Sequence, residues 1–163
     1  MKKQIDVSIL QPGDCLLYSP GFSFIGWWIC VKTWTWVSHC EGYIGEGNTI
    51  AARAKGVHMY CMETKKLAYV LRPKPEHPFN FDAAMAWFWD KANGQSYDFW
   101  GLFCFYLAAK QSSKTKQFCS ELLTRWYRAG GFGPVSEWCD ADDVSPAQFL
   151  QSTGYDLVWK AKE

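Results

Sequence analysis

The sequence predicts an α+β fold, an antiparallel sheet with helices packed on it, and two observations carry that reading. Between Cys15 and Leu71, short strand-like runs are separated by turns rich in Gly and Pro. From Phe81 onward the apolar residues recur at helical spacing instead. The loop-like stretch Pro73 to Pro78 (PKPEHP) separates the halves, but no linker divides the chain, so residues 1–163 read as one domain.

Taken in order, Pro12-Gly13-Asp14 is a turn and Cys15 to Tyr18 a short buried strand. Phe22 to Lys32 is apolar nearly all round, which suggests a buried helix. Val37 to Ile44 (VSHCEGYI) is a strand candidate ended by a hairpin turn over Gly45 to Asn48. Thr49 to Ala54, Val57 to Met62 and Leu67 to Leu71 supply further antiparallel strands. Phe81, Ala84, Met85, Phe88, Trp89 and Ala92 then mark a helix capped by Asn80 or Asp82 and ended by Gly94. Leu102 to Ala109 is a second helix. Phe118, Leu122, Trp126 and Tyr127 mark a third, stopped by Gly130-Gly131. Ser145-Pro146 opens a short helix, and Tyr155 to Lys160 reads as a last edge strand.

Charge and composition exclude some classes. A formal charge of +1 gives no field to steer a polyanion, so nucleic acid is not the expected partner. Ten Trp, eight Tyr and eleven Phe can fill a core, line an apolar groove or sit at a membrane interface, and composition does not choose among these. The seven cysteines include no Cys-x-x-Cys pair, so neither a zinc ribbon nor a thioredoxin-like motif is present, and no metal or cofactor is expected. The opening MKKQIDVSILQPGD has two lysines but no apolar core of a secretory signal. Phe22 to Val31 is too short to span a bilayer. The expectation is a cytoplasmic protein with reduced thiols, at most associated with a surface.

A cysteine hydrolase needs a thiolate, a histidine that delivers the proton and a polar group that orients the histidine. Cys119 follows the polar run Lys110 to Gln117 and opens an amphipathic helix, whose N-terminus favours the thiolate. Position alone leaves open that it is a small buried apolar residue. His39 lies in a strand candidate, and residues two apart on a strand share a face, so His39 and Glu41 point the same way and Cys40 the opposite way. A carboxylate there can orient the imidazole and stabilise its charge; a structural histidine beside a solvated glutamate fits the same pattern. His58 is a competitor on a neighbouring strand, and His77 lies in the Pro-rich loop. Tyr97, in YDFWG, carries a hydroxyl able to donate to a developing oxyanion, although aromatic residues beside glycine usually pack.

In order, LQPGDCLLY from Leu10, SHCEGYIG from Ser38, GQSYDFWGL from Gly94 and QFCSELL from Gln117 resemble the circularly permuted branch of the NlpC-type papain-like cysteine hydrolases. The resemblance extends to the YiiX-like members and more distantly to the lecithin:retinol acyltransferase-like proteins, and it covers about residues 10 to 152. It implies a permuted papain-like fold, a small barrel-like antiparallel sheet against a helical subdomain, with the histidine ahead of the cysteine. It also implies Cys119 as nucleophile, His39 as base and Tyr97 as an aid to the oxyanion. The family's third polar residue commonly lies on the next strand, where Ile50-Ala51-Ala52 offers none, which makes Glu41 the orienting residue.

The leading expectation is therefore cleavage of a peptide or other acyl-amide through a thioacyl-enzyme, with peptidoglycan peptides as the substrates the family suggests. Without a signal, a cell-wall role needs another export route, as phage lysis or injection provides. Acyl transfer or hydrolysis on lipids is the alternative, with Trp27, Trp28 and Trp34 forming a groove or touching a membrane surface. A catalytically inactive binding module is the third reading.

Overall fold

The computed structural model describes residues 5–20, 30–31, 35–97, 116–135 and 139–161. Its strands are β1 (Cys15–Tyr18), β2 (His39–Gly45), β3 (Asn48–Arg53), β4 (Gly56–Cys61), β5 (Leu67–Pro73), β6 (Ser96–Tyr97), β7 (Lys116–Gln117) and β8 (Tyr155–Lys160). Its helices are α1 (Phe81–Trp87), which runs on as a π-helical turn over Phe88–Ala92, α2 (Cys119–Ala129) and α3 (Pro146–Gln151). The fold is thus mixed α and β. A six-stranded sheet runs β4-β3-β2-β1-β5-β8, every neighbouring pair antiparallel, and β6 and β7 form a separate short parallel ladder.

Local chemistry explains most boundaries. The β2–β3 turn needs positive φ at consecutive positions, which Gly45 (104°), Glu46 (52°) and Gly47 (73°) supply. Asn80 caps α1, its Oδ1 accepting from Ala83 N at 3.0 Å, so the cap is Asn80 rather than Asp82. Ser145 and Gln148 form a capping box at α3, with Pro146 in the first turn. Helical character persists to Ala92 as expected, but its last turn widens to π spacing before Gly94 (φ 86°). Val37 and Ser38 precede β2 instead of belonging to it, although Ser38 N still donates to Tyr18 O at 3.0 Å. The helices expected over 22–32 and 102–109 lie outside the described residues, apart from buried Cys30 and exposed Val31.

Period-two alternation divides the sheet into two faces. One carries Cys15, Leu17, Cys40, Ile50, Ala52 and Val57, packed under Leu122, Leu123, Trp126 and Tyr127 of α2. The other gathers Leu16, Tyr18, Tyr43 and Val70 with Ile5 and Leu10. Trp126 is fully buried, which contributes roughly 2–3 kcal/mol. It meets Phe79 edge to face at 5.0 Å. The approach of α2 to β2 depends on Gly42, where a Cβ would come within 2.9 Å of Trp126 Cζ3 and 3.0 Å of Leu123 Cδ1. This close contact seats the middle of α2 against the middle of β2. Among the described residues no helix is long and apolar enough to cross a membrane.

Candidate functional site

Cys119 is the first residue of α2, as the sequence pattern predicts. Phe118, its N-cap, makes no side-chain cap, and the positive end of the helix dipole falls on the sulfur. The thiol is 4% exposed. His39 and Cys40 are the neighbours that favour its anion. Because α2 packs on the face that Cys40 shares, Cys119 and Cys40 are buried in the same core cluster, and His39 is the first residue of β2.

His39 Nε2 lies 2.9 Å from Glu41 Oε1, which leaves Nδ1 as the ring nitrogen not engaged by Glu41. Glu41 is itself held from several sides. Tyr18 and Thr49 hydroxyls donate to Oε2 at 3.2 and 2.8 Å, and Arg53 donates to Oε1 through Nε at 2.8 Å and Nη2 at 2.6 Å. The register explains this convergence. Tyr43 pairs with Thr49, and alternation puts Thr49 and Arg53 on the sheet face that Glu41 shares, where both reach the carboxylate. Tyr18 pairs with His39 across β1 and comes from the other side.

These contacts set the charges. Burial opposes ionisation of Glu41, but hydrogen bonding to His39 and the charges of His39 and Arg53 outweigh it and hold the carboxyl below its usual value. Burial likewise disfavours the imidazolium, yet the Cys119 and Glu41 charges push His39 up to about 10. The hydrogen bond from Cys40, with the charge of His39, holds Cys119 well below an ordinary thiol against its own burial. Burial pushes Cys40 and Cys15 the other way, well above it. These directions favour an anionic Cys119 sulfur beside a protonated His39, with the ionised Glu41 behind the imidazole.

The other candidates fall elsewhere. Tyr97 is half-buried against the core cluster that includes Cys119. The β6–β7 ladder pairs it with Gln117, two residues before the thiol. His58, the competitor, sits on β4 with Nδ1 3.3 Å from Asn93 Oδ1, and His77 is exposed with its ring 6.0 Å from Phe132. Cys15, Cys30, Cys40 and Cys119 are buried, Cys61 is exposed, and none of these is disulfide-bonded; Cys104, Trp27, Trp28 and Trp34 lie outside the described residues. A depression of about 620 Å³ lined by Trp87, Arg125, Arg128, Asp140 and Asp142 lies towards the far end of α2. At 1.5 Å per residue, Arg128 is about 13 Å along the helix from Cys119, so this depression is a separate feature. Arg53, Thr49 and Tyr18 are site residues that sequence reasoning did not single out. Among the described residues no group of three or more His, Cys, Asp or Glu side chains is placed to hold a metal ion. No family model and no curated protein matches the chain.

Proposed function

We propose that this chain is a papain-like cysteine hydrolase in circularly permuted order, cleaving a peptide or related amide bond through a thioacyl-enzyme. The observation that carries the reading is the His39–Glu41 hydrogen bond at 2.9 Å, with the carboxylate buried behind the imidazole, together with Cys119 at a helix N-terminus, where its thiol is held low by the charge of His39 among other causes.

In this reading the Cys119 thiolate attacks the carbonyl carbon and the carbonyl electrons move to oxygen. The main-chain N–H of Cys119, at the start of α2, and Tyr97 are the donors assigned to the oxyanion. Collapse breaks the C–N bond as His39 Nδ1–H protonates the leaving amine, leaving a thioester on Cys119 and neutral His39. The imidazole then takes a proton from water, hydroxide adds to the thioester, and expulsion of the sulfur releases the acid and restores the ion pair. Glu41 keeps Nε2 engaged throughout, so Nδ1 stays directed at the sulfur. A panel of peptide amides, peptidoglycan-derived peptides included, followed by product mass, tests the reading. Cleavage lost in Cys119→Ala and His39→Ala supports it; cleavage that survives Cys119→Ala overturns it.

The lipid reading draws on one observation: Val31 is 69% and Trp36 64% exposed in the segment that leads to His39. Liposome co-sedimentation with tryptophan emission separates the two. Amide cleavage without liposome binding or a blue shift is the expected result, and binding with acyl-ester turnover would favour lipid instead.

A further inference from the structure

Tyr18, the last residue of β1, touches both members of the His39–Glu41 pair. It pairs directly with His39 across the β1–β2 ladder, and its ring centroid lies 5.8 Å from that of the imidazole, the planes tilted by 44°. Glu41 is its diagonal neighbour on the same face, within reach of a long side chain, and the Tyr18 hydroxyl donates to Oε2 at 3.2 Å. The tyrosine itself is firmly held. It is 4% exposed and packs with Leu16, Tyr43, Leu67 and Val70. Its carbonyl accepts from Ser38 N, next to His39, at 3.0 Å. On its other side the β5 register shifts between Leu17 and Tyr18, passing over Ala68, an irregularity of the kind that re-aims a side chain.

The donors on Glu41 are sorted by charge. His39 and Arg53 occupy Oε1, while the Tyr18 and Thr49 hydroxyls occupy Oε2, which fills the four or so sites a carboxylate offers. Thr49 has Tyr60 O as a second acceptor, whereas Tyr18 has Glu41 alone among the described residues. Burial and the Glu41 charge push the phenol up, so it stays a neutral donor throughout the range in which His39 titrates.

We propose that Tyr18 is a positioning residue for the base, its ring backing the His39 imidazole while its hydroxyl fixes the carboxylate to which that imidazole is bonded. The inference rests on His39 being the base of the proposed hydrolase. An imidazole can turn about two side-chain bonds, and its Nε2 stays on Glu41 only while both groups are held; Tyr18 holds both.

The test follows the imidazoles by long-range 1H–15N NMR from pH 5 to 11 in the full chain, Tyr18→Phe and Tyr18→Leu, with His39 assigned from His39→Ala and thermal unfolding run alongside. Tyr18→Leu loses ring and hydroxyl, and the His39 midpoint, about 10 in the full chain, should fall by about one pH unit, a tenfold weaker hold on the proton. Tyr18→Phe keeps the ring and should move the midpoint by less than half as much. A lower melting temperature with an unmoved midpoint in Tyr18→Leu is what a merely structural tyrosine gives, and it overturns the proposal. Equal shifts in the two variants overturn it too. A second measurement needs no variant: cross-relaxation between the Tyr18 and His39 ring protons is expected in the full chain, and its absence overturns the contact even where Tyr18→Leu fails to fold. Neither measurement uses a substrate, so failure to find a cleaved amide leaves this result standing, and an active enzyme with an unmoved midpoint defeats this inference alone.

Discussion

Replacing Glu41 with Gln removes one negative charge while keeping the shape of the side chain, and the structure predicts where the loss is felt. The amide oxygen takes the Oε1 position, still accepting from His39 and Arg53. The amide nitrogen then faces Tyr18 and Thr49, whose hydroxyls can turn to accept, and Thr49 already has Tyr60 O as a second acceptor at 3.3 Å. Hydrogen bonding survives and the charge does not. Breaking a fully buried pair costs more, but His39 and Arg53 side chains are 27% and 32% exposed and partly solvated, so the stability loss is about 1–3 kcal/mol. At roughly 2–4 °C per kcal/mol, the melting temperature falls by about 2–12 °C. Activity falls further, about 100-fold in kcat/KM, because the imidazole loses both its anchor and the charge that stabilises its protonated form. The alkaline limb of the pH–rate profile moves down from about 10, since Glu41 is one of the groups that raise His39. Kinetics on whichever amide substrate is found, with thermal unfolding in parallel, check both effects. Full activity with an unmoved alkaline limb would refute the reasoning and leave Glu41 a structural carboxylate.

Three further outcomes follow from the same geometry. Gly42→Ala should cost about 1–3 kcal/mol by overpacking against Trp126 and Leu123. It should also slow Cys119 alkylation by shifting the start of α2, and an unchanged melting temperature and alkylation rate would contradict that. Arg53→Gln should lower kcat more than it raises KM, because Arg53 acts on Glu41 and through it on His39; a change in KM alone would assign Arg53 to substrate binding. Unfolding free energy from denaturant titration should show a plateau from about pH 6.5 to 9. Raised His39 adds stability that is full below its unfolded value of 6.5 and lost as pH rises through about 10. Lowered Cys119 adds stability present above its unfolded value of 9.0 and lost as pH falls towards its folded value. The two slopes cancel between those unfolded values, stability declines above pH 9, and it declines below 6.5, where lowered Glu41 reinforces the loss as pH falls further through the carboxylate range. A steady rise or fall across the window would contradict the ion pair.

The strands of the six-stranded sheet, the Gly45 to Asn48 turn and the start of α2 were legible because their signals are local: alternation, turn glycines and helical spacing. His39 and Glu41 were legible as a pair because two residues apart on one strand share a face, and the 2.9 Å contact follows. Arg53, Thr49 and Tyr18 were not, because their meeting at Glu41 depends on the β2–β3 and β1–β2 registers, which no local pattern encodes. Alternation placed Cys40 opposite His39 correctly, but it could not show that α2 would cover that face and bury Cys119 in the same cluster as Cys40.

The account stands most directly on the thiolate–imidazolium pair at Cys119, and exposure and reactivity make opposite predictions there. At pH 6 an ordinary thiol is about 0.3% ionised, so brief, limiting iodoacetamide should mark Cys119 first even though Cys119 is 4% exposed and Cys61 lies on the surface. Mapping the carbamidomethylated peptides gives the order. Cys119 ahead of Cys61, with the preference abolished in His39→Ala, is the predicted result. Cys61 first, or an order indifferent to His39, would contradict it.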